Sequence, residues 1–355
     1  MSPATWKDAG IVSDEQAPLA EAMHELMQRT FGERVLPNPG GPGALFSLDY
    51  DKRLFRYNYA HPILVSRAGT VGLKLKVACT AGRHDTVGVD LVANCVNDVL
   101  VRGAAPLFFL DCVGMGRLEP KVLQELASGV AAGCKEAGCA LLGGETAEMP
   151  GLYEQGQYDL AGFVVGVVEK RHLITGRKVR PGDVVVGLPS AGLHASGFAL
   201  AWRVLFDQAG MQCSDSLASY GIERTLGEEL LRPTRTYVRA VRGVLHRYTV
   251  KQVVAGIAHV AGGGLVGSIP RVLPEGCAVQ FAPSSWQRPR IFDVIRELGG
   301  VPEAEMYRTF NMGIGMVLMV APYYAESVVR QLRKEGEEPT IIGHVTEGPR
   351  QVTIL

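Results

Sequence analysis

Four short polar side chains lie on one side of a helix that the apolar spacing predicts over residues 89–102. They are Asp90, Asn94, Asn97 and Asp98. Such residues are poor helix formers, so a stripe of them inside a helix needs a physical reason. A solvated helix face is one interpretation, although solvated faces usually carry Lys, Glu and Arg, and this stripe has none. Carboxylate and amide oxygens are also the ligands that a hard cation such as Mg²⁺ prefers, which is the functional interpretation.

A glycine pair next to carboxylates forms a second candidate site. In LLGGETAEMPG, residues 141–151, Gly143 and Gly144 precede Glu145 and Thr146. Paired glycines let backbone amides approach a phosphate, and a neighbouring carboxylate can hold the metal ion that accompanies it. A structural turn is the competing interpretation of the same residues.

A run of three glycines follows a predicted strand in the second half of the chain. Gly262, Gly263 and Gly264 come shortly after His259. Such a run suits an anion-binding loop, but the Lys and Ser or Thr that end a P-loop are absent. A flexible turn explains these glycines equally well.

His194 lies between glycines in AGLHASGFAL, just before a helix predicted to start near Ser196. The flanking glycines predict an exposed turn, where a structural and a catalytic histidine are equally good interpretations. Lys7, near the start of the chain, is by itself an ordinary surface lysine. Together these residues favour an enzyme that uses ATP and Mg²⁺.

The elements that must position these residues alternate between strands and helices. Strands are predicted over residues 63–66, 73–78, 107–113, 160–168, 184–188, 253–258, 315–320 and 340–345. Helices are predicted over residues 19–30, 89–102, 120–137, 197–208, 234–246, 290–298 and 323–334. A polar segment at residues 169–183 separates the two sets. We therefore expect two mixed α/β (α+β) domains, residues 1–170 and 171–355.

Composition limits the class of protein. The chain has 355 residues, 47% of them apolar, with 36 basic and 36 acidic side chains. A formal net charge of zero argues against a protein whose main task is to hold nucleic acid. No apolar run approaches the roughly 18 residues of a membrane span, and no signal peptide is visible. Seven scattered cysteines without metal-ligand spacing are typical of a cytoplasmic protein, which is our expectation, without nucleic-acid or membrane partners.

Longer segments carry a resemblance to a known family. They include WKDAG, RHDTVGVD, CVND, GAAPLFFLD, GGETAEMPG, YDLAGFVVGVVE, LRPTRTYV and MYRTFNMGIG, in this order. Through them the chain resembles the aminoimidazole ribonucleotide synthetase (phosphoribosylformylglycinamidine cyclo-ligase) family nearly from end to end. The resemblance implies an N-terminal domain that forms a β-barrel with the same domain of a second subunit, and a C-terminal α/β domain. It also implies that ATP, with Mg²⁺, drives ring closure of a ribonucleotide substrate in a homodimer.

The resemblance further implies roles for individual residues. It places ATP at Lys7, Lys74, Asp90, Asn97, Gly143, Gly144, Glu145 and Thr146, and Mg²⁺ at Asp98 and Glu145. It places the substrate at His194, Ser196, Gly262, Gly263 and Gly264. The expected catalytic residues are Lys74, Asp98 and His194.

The chain departs from the family pattern before Lys74. The family usually reads Ser-Gly-Thr-Asp-Gly-Val-Gly-Thr-Lys, and this chain reads SRAGTVGLK, so Gly69 replaces the aspartate and Leu73 the last threonine. Ser196 and Ala261 replace a usual Asn and Thr. Two alternatives to an active cyclo-ligase are therefore open. One is a dimeric paralogue with weakened or lost catalysis that still binds nucleotide or ribonucleotide phosphate, and the other is a relative that phosphorylates a different small molecule.

Overall fold

The computed structural model describes residues 16–37, 44–48 and 59–355. Lys7, one of the predicted ATP-binding residues, lies outside this range. Within it, no helix is long and apolar enough to cross a membrane.

The described residues form strands that belong to three sheets. The strands are β1 (Val35–Leu36), β2 (Leu45–Phe46), β3 (Pro62–Thr70), β4 (Ala105–Met115), β5 (Ala140–Glu148), β6 (Tyr158–Glu169), β7 (Val184–Pro189), β8 (Val254–His259), β9 (Cys277–Phe281), β10 (Ile314–Val320), β11 (Thr340–Glu347) and β12 (Val352–Ile354). The helices are α1 (Gln16–Gln28), α2 (Lys74–Ala81), α3 (Asp85–Leu100), α4 (Pro120–Ala137), α5 (Phe198–Trp202), α6 (Leu226–Leu230), α7 (Val238–Arg247), α8 (Gly264–Ser268), α9 (Arg290–Gly299), α10 (Glu303–Thr309) and α11 (Ala325–Lys334). The prediction of a mixed α/β chain is confirmed.

The N-terminal half contains a four-stranded sheet in the order β3-β6-β4-β5. Helices α3 and α4 pack against each other and against one face of this sheet. The opposite face carries exposed apolar side chains, among them Leu64, Leu110 and Phe163. Phe46 of β2 packs on Phe108 of this same face, with the ring centroids 5.5 Å apart. Within the described part of the chain, helices therefore cover one face of the sheet, and the other face is covered only in part.

The C-terminal half contains a six-stranded sheet in the order β12-β9-β11-β7-β10-β8. Its strands pair antiparallel except for β12 and β9, which are parallel. Strands β8 and β10 are buried along their whole length, which explains their nearly continuous apolar sequences. Each sheet lies wholly on one side of residues 170–183, while the exact domain boundary near residue 170 stays a prediction.

Two local predictions are wrong, for identifiable reasons. Residues 73–78 alternate apolar and basic side chains like a strand, but they begin helix α2. In the helix Leu75 and Ala78, three positions apart, lie on one buried side, and the strand-like alternation arises only because Lys74 and Lys76 are two positions apart. The competing interpretation of Gly143 and Gly144 as a structural turn is also wrong, because both residues lie within strand β5.

Candidate functional site

Helix α3 joins the two halves of the chain through a buried ion pair. Lys74 Nζ donates to Asp90 Oδ1 at 2.9 Å and lies 2.7 Å from Oδ2, and both side chains are fully buried. Asp90 also accepts from the backbone N–H of Thr234 at 2.7 Å and from its hydroxyl, while Lys74 donates to the carbonyl of Arg232 at 2.7 Å. Burial lowers the pKa of Lys74 and raises that of Asp90, and their mutual attraction opposes both shifts. Residues 232–234 of the second half thus hydrogen-bond to both members of an ion pair that lies in the first half.

A second member of the polar stripe has the same kind of role. Asn97 is fully buried, donates to the carbonyl of Arg235 at 2.9 Å, and accepts from the backbone N–H of Tyr237 at 3.1 Å. The interpretation of the stripe as a solvated face is therefore wrong for Asp90 and Asn97. Their short polar side chains are required because they satisfy backbone groups of the other half.

Asp98 lies between a nitrogen-bearing side chain from each half of the chain. Arg67 Nε on β3 donates to Asp98 Oδ2 at 2.7 Å, and His259 Nδ1 at the end of β8 lies 2.8 Å from Asp98 Oδ1. Burial alone would raise the pKa of Asp98, but the hydrogen bonds and charges of His259 and Arg67 lower it. The carboxylate is thus ionised and has a protein partner on each oxygen.

We call the region where α3 and Arg67 of the first half contact residues 232–237 and His259 of the second half the junction. The predicted substrate loop follows directly after His259 in the chain. Two residues after His259, Ala261 leads into the triple glycine, in which Gly263 and Gly264 have φ of 98° and 60°. A Cβ at Gly264 would lie 2.4 Å from the carbonyl oxygen of Tyr307, so this position requires glycine for both space and conformation. The glycine run is therefore a rigidly specified turn rather than a flexible one.

His194 is buried, and the prediction of an exposed turn is wrong. Asn311 Nδ2 donates to the carbonyls of Gly192 and Leu193 at 2.8 and 3.1 Å, which holds the loop inward and gives His194 a φ of 61°. Its Nε2 accepts from the backbone N–H of Ala191 at 2.9 Å, so the ring proton is on Nδ1. Burial, with the nearby positive charges of His259, Lys74 and two arginines, lowers the pKa of His194 well below its usual value.

The Nδ1 of His194 is buried and has no hydrogen-bond partner among the described residues. A neutral imidazole with an unused, buried N–H is an arrangement that a bound acceptor atom would complete. Ser196, two residues further on, is half-buried.

The remaining predicted ATP residues line a separate cavity of about 400 Å³. Its wall includes Gly143, Gly144, Glu145 and Thr146 of β5, Asp111 of β4, and apolar side chains of α1 such as Met23 and Met27. A Cβ at Gly144 would lie 2.3 Å from Asp111 Oδ1, so the glycine makes room for this carboxyl group. Burial raises the pKa of Asp111 to about 6. The size of the cavity is in the range of small-molecule pockets.

Asp98 and Glu145, the predicted metal ligands, do not meet within one chain. Asp98 contacts β3, whereas Glu145 is on β5 at the opposite edge of the sheet, three strand spacings or about 14 Å away. In the described ranges no three His, Cys, Asp or Glu side chains are placed to hold one ion. Mg²⁺ needs oxygen ligands at about 2.1 Å, and both oxygens of Asp98 already face nitrogen donors. The residues present at Asp98 therefore do not fit a resident Mg²⁺ ion.

Sequence reasoning missed several residues of the junction. Arg67, His259, Thr234 and Asn311 each bind a predicted residue or hold its loop, and none was assigned a role. Three of them had a sequence signal. Thr234 and Asn311 lie in the motifs LRPTRTYV and MYRTFNMGIG, and Arg67 stands where the resembling motif has glycine.

The fold and the junction define a two-part α/β protein whose halves meet at a charged surface. The family model described as "AIR synthase related protein, N-terminal domain" matches residues 60–168, and that described as "AIR synthase related protein, C-terminal domain" matches residues 180–355. The phosphoribosylformylglycinamidine cyclo-ligase of Trichlorobacter lovleyi is 47% identical over 342 residues, which are 96% of this chain and 95% of that protein. The chain belongs to the aminoimidazole ribonucleotide synthetase (phosphoribosylformylglycinamidine cyclo-ligase) family, and the resemblance predicted from its motifs is confirmed.

Solved structures of more distant proteins share the fold. Thiamine-monophosphate kinase from Stenotrophomonas maltophilia matches with a TM-score of 0.68 at 18% identity, covering 94% of this chain and 95% of the kinase. Hydrogenase maturation protein HypE in complex with ATP matches with a TM-score of 0.66 at 15% identity, covering 96% of this chain and 92% of HypE. At these identities the likeness concerns the fold alone.

The buried ion pair generates a stability prediction. Asp90→Asn leaves Lys74 buried without a counter-charge, so we expect it to lower the free energy of unfolding by about 3–5 kcal/mol, measured by urea denaturation. Asp85→Asn is the matched control on the same helix, because Asp85 pairs with Arg83 at the surface, 3.0 Å away, and should change stability by about 1 kcal/mol or less. Equal effects of the two variants would contradict the assigned role of Asp90.

Asp111 generates a prediction of pH dependence. Its pKa is raised in the folded protein, to about 6 from an unfolded value of about 3.9, so the folded state holds an extra proton between these values. Stability from this group is therefore present at low pH and is lost as pH rises towards 6. Above pH 6, Asp111→Asn should raise the melting temperature, and the gain in free energy of unfolding should be at most about 3 kcal/mol. Below pH 4 the variant and the wild type should melt at the same temperature. An equal gain at pH 4 and pH 8 would show that Asp111 does not titrate in this way.

Proposed function

We propose that this chain catalyses the ATP-dependent cyclisation of formylglycinamidine ribonucleotide to aminoimidazole ribonucleotide, a step of purine biosynthesis. The observation that carries the proposal is the 47% identity to a named cyclo-ligase across 96% of the chain, which covers both halves and the junction between them. The ATP complex of the similarly folded HypE supports nucleotide use. The free state of all seven cysteines supports action in a reducing compartment, in agreement with a cytoplasmic location.

The chemistry explains why ATP is consumed. An amide oxygen is a poor leaving group, so the γ-phosphoryl group is first transferred to it, the bond to ADP breaks, and an imidate phosphate forms. The neighbouring amidine nitrogen then attacks the activated carbon, the C–O bond breaks, and phosphate leaves as the ring closes. The protein's part in such a reaction is to align the reactants and to stabilise the charge of the phosphoryl group.

We propose that the cavity beside β5 holds the nucleoside part of ATP. Met23 and Met27 offer apolar surface for a base, and the Asp111 carboxyl group can accept a hydrogen bond from a ligand hydroxyl or amino group. Gly143, Gly144, Glu145 and Thr146 line the same cavity, which agrees with their expected role in ATP binding. Direct contacts of Lys7, Lys74, Asp90 and Asn97 with ATP stay predictions, since the last three are engaged between the halves in this structure.

We propose that the substrate binds at the junction. The positive charges of Lys74, Arg232 and Arg235 near His194 favour a ribonucleotide phosphate or the phosphoryl group in transfer. The unpartnered Nδ1–H of His194 would donate to a substrate oxygen as a neutral group. Gly262, Gly263 and Gly264, and the adjacent Ser196 loop, would supply backbone and hydroxyl contacts. A role of Mg²⁺ held jointly by Asp98 and Glu145 finds no support in the donor set of one subunit.

A specific observation favours one second candidate, a divergent paralogue with weakened catalysis. Gly69 supplies no carboxylate beside Asp98, and Arg67 donates a hydrogen bond to one of the two Asp98 oxygens. Such a protein would bind ATP as a dimer without releasing ADP in response to the substrate. Turnover separates the two candidates.

We further propose a homodimer closed through the face of the four-stranded sheet that lies opposite α3 and α4. Leu64, Leu110 and Phe163 form an apolar surface there that a second copy of the same face would bury, and the family resemblance to a dimeric barrel points to the same surface.

The dimer is testable by light scattering at micromolar concentration. We expect twice the mass of the 38.2 kDa chain. Phe163→Glu should reduce the mass to that of a monomer, because it would bury a charge in the interface. Tyr323→Glu, at a position 88% exposed in the other half, is the control and should leave the mass unchanged. A wild-type monomer would refute the dimer.

The enzymatic proposal is tested by ADP release that depends on formylglycinamidine ribonucleotide. We expect turnover by the wild type and a loss of about a hundredfold in kcat for His194→Ala, the size typical of one lost hydrogen-bond donor to developing charge. His344→Ala, an exposed histidine on β11, should retain full activity. ATP binding without substrate-dependent ADP release would instead identify the chain as the non-catalytic paralogue.

A further inference from the structure

Arg67 has the geometry of an anchored anion receptor. It lies on the face of β3 that carries α3, and its Nε donates to Asp98 Oδ2 at 2.7 Å, while half of its side-chain surface is exposed. Within the described part of the chain, its two terminal nitrogens make no hydrogen bond. A guanidinium held through Nε and free at both ends can bind two oxygens of one phosphate group.

The surroundings of Asp98 favour this side chain over a divalent cation. Both Asp98 oxygens have nitrogen partners. A Cβ at Gly69, where the resembling family has aspartate, would lie 2.9 Å from Cys95 Sγ, so a side chain there would have to displace Cys95. Burial raises the pKa of Cys95 to about 12, so this thiol is uncharged near pH 7. One positive charge is nevertheless present at the site, on Arg67.

The opposite side of Asp98 leads to the glycine turn of the other half. His259 contacts Asp98 Oδ1 at 2.8 Å, and the turn at residues 262–264 begins three residues later. Arg67 and His259 therefore contact the two oxygens of one carboxylate, and each comes from a different half of the chain. A phosphate group bound by the guanidinium would lie where the two halves meet.

We infer that Arg67 is a phosphate-binding residue for the nucleotide, positioned by Asp98, and that its guanidinium supplies the positive charge that a divalent cation would otherwise supply at Asp98. The inference rests on the proposed use of ATP and deepens it, because it names the protein group that meets the phosphates. Its consequence is that this chain binds ATP without a metal ion at Asp98.

Calorimetric titration with ATP, in EDTA and in excess Mg²⁺, tests the inference on the full chain. We expect the wild type to bind ATP in EDTA with an affinity within about threefold of that in Mg²⁺. Arg67→Ala should weaken binding in EDTA by about tenfold or more, as expected for a lost charge-assisted contact. Arg67→Lys keeps the charge but not the two-nitrogen fork, and its affinity should be intermediate.

Arg83→Ala is the matched control. Arg83 pairs through Nε with Asp85 at 3.0 Å and is about as exposed as Arg67, but it lies at the other end of α3, roughly 20 Å away. This variant should bind ATP as the wild type does. Melting temperatures of all variants show whether a loss of binding reflects a loss of folding, and Arg67→Lys replaces Arg67→Ala if the latter does not fold.

The outcomes separate this inference from the proposed function. Substrate-dependent ADP release together with unchanged ATP affinity in Arg67→Ala overturns the inference alone. Wild-type binding that requires Mg²⁺ also overturns it alone. Absence of ATP binding and of ADP release in every condition overturns both. A selective loss in Arg67→Ala, with Arg83→Ala unaffected, supports the inference.

Discussion

The buried pair of Lys74 and Asp90 is the interaction on which the rest of the structure depends. Two opposite charges without solvent are stable only when their remaining hydrogen-bonding capacity is satisfied, and here the backbone of Arg232 and Thr234 satisfies it. The requirement fixes α3 of the first half against residues 232–237 of the second. The contacts of Asn97 and Asp98 with the second half follow from the position of that helix.

The junction concentrates positive charge while keeping its central histidine neutral. Lys74, Arg232, Arg235 and His259 surround His194, and burial with this charge prevents its protonation. Acidic partners neutralise the cations one by one: Asp90 binds Lys74, Asp98 binds Arg67, and Glu229 binds Arg232 at 3.1 Å. A surface of this kind attracts an anionic ligand without leaving an uncompensated charge in its absence.

The four-stranded sheet serves two purposes with its two faces. The helix-covered face carries Arg67 and the contacts of α3, and the cavity beside β5 uses the glycine pair to admit Asp111. The opposite face holds the exposed apolar side chains through which we propose the second subunit binds. Placing the ligand groups and the apolar surface on opposite faces follows from the alternation of side chains along a strand.

The sequence alone determined most of the elements and the family. Helix α4 and the strands of the second sheet's centre follow from apolar periodicity, and the motifs identify the aminoimidazole ribonucleotide synthetase family. The polar stripe also singled out Asp98, the glycine-flanked loop singled out His194, and the family resemblance singled out Lys74. Only the tertiary structure decided what these residues contact. Asp90 and Asn97 look solvated from helical spacing, and they are buried because a segment about 140 positions away in the chain covers them. Arg67 and His259 contact the carboxylate of Asp98 from opposite halves of the chain. The periodicity of a single strand or helix carries no information about such a contact, because it joins segments that are far apart in the sequence.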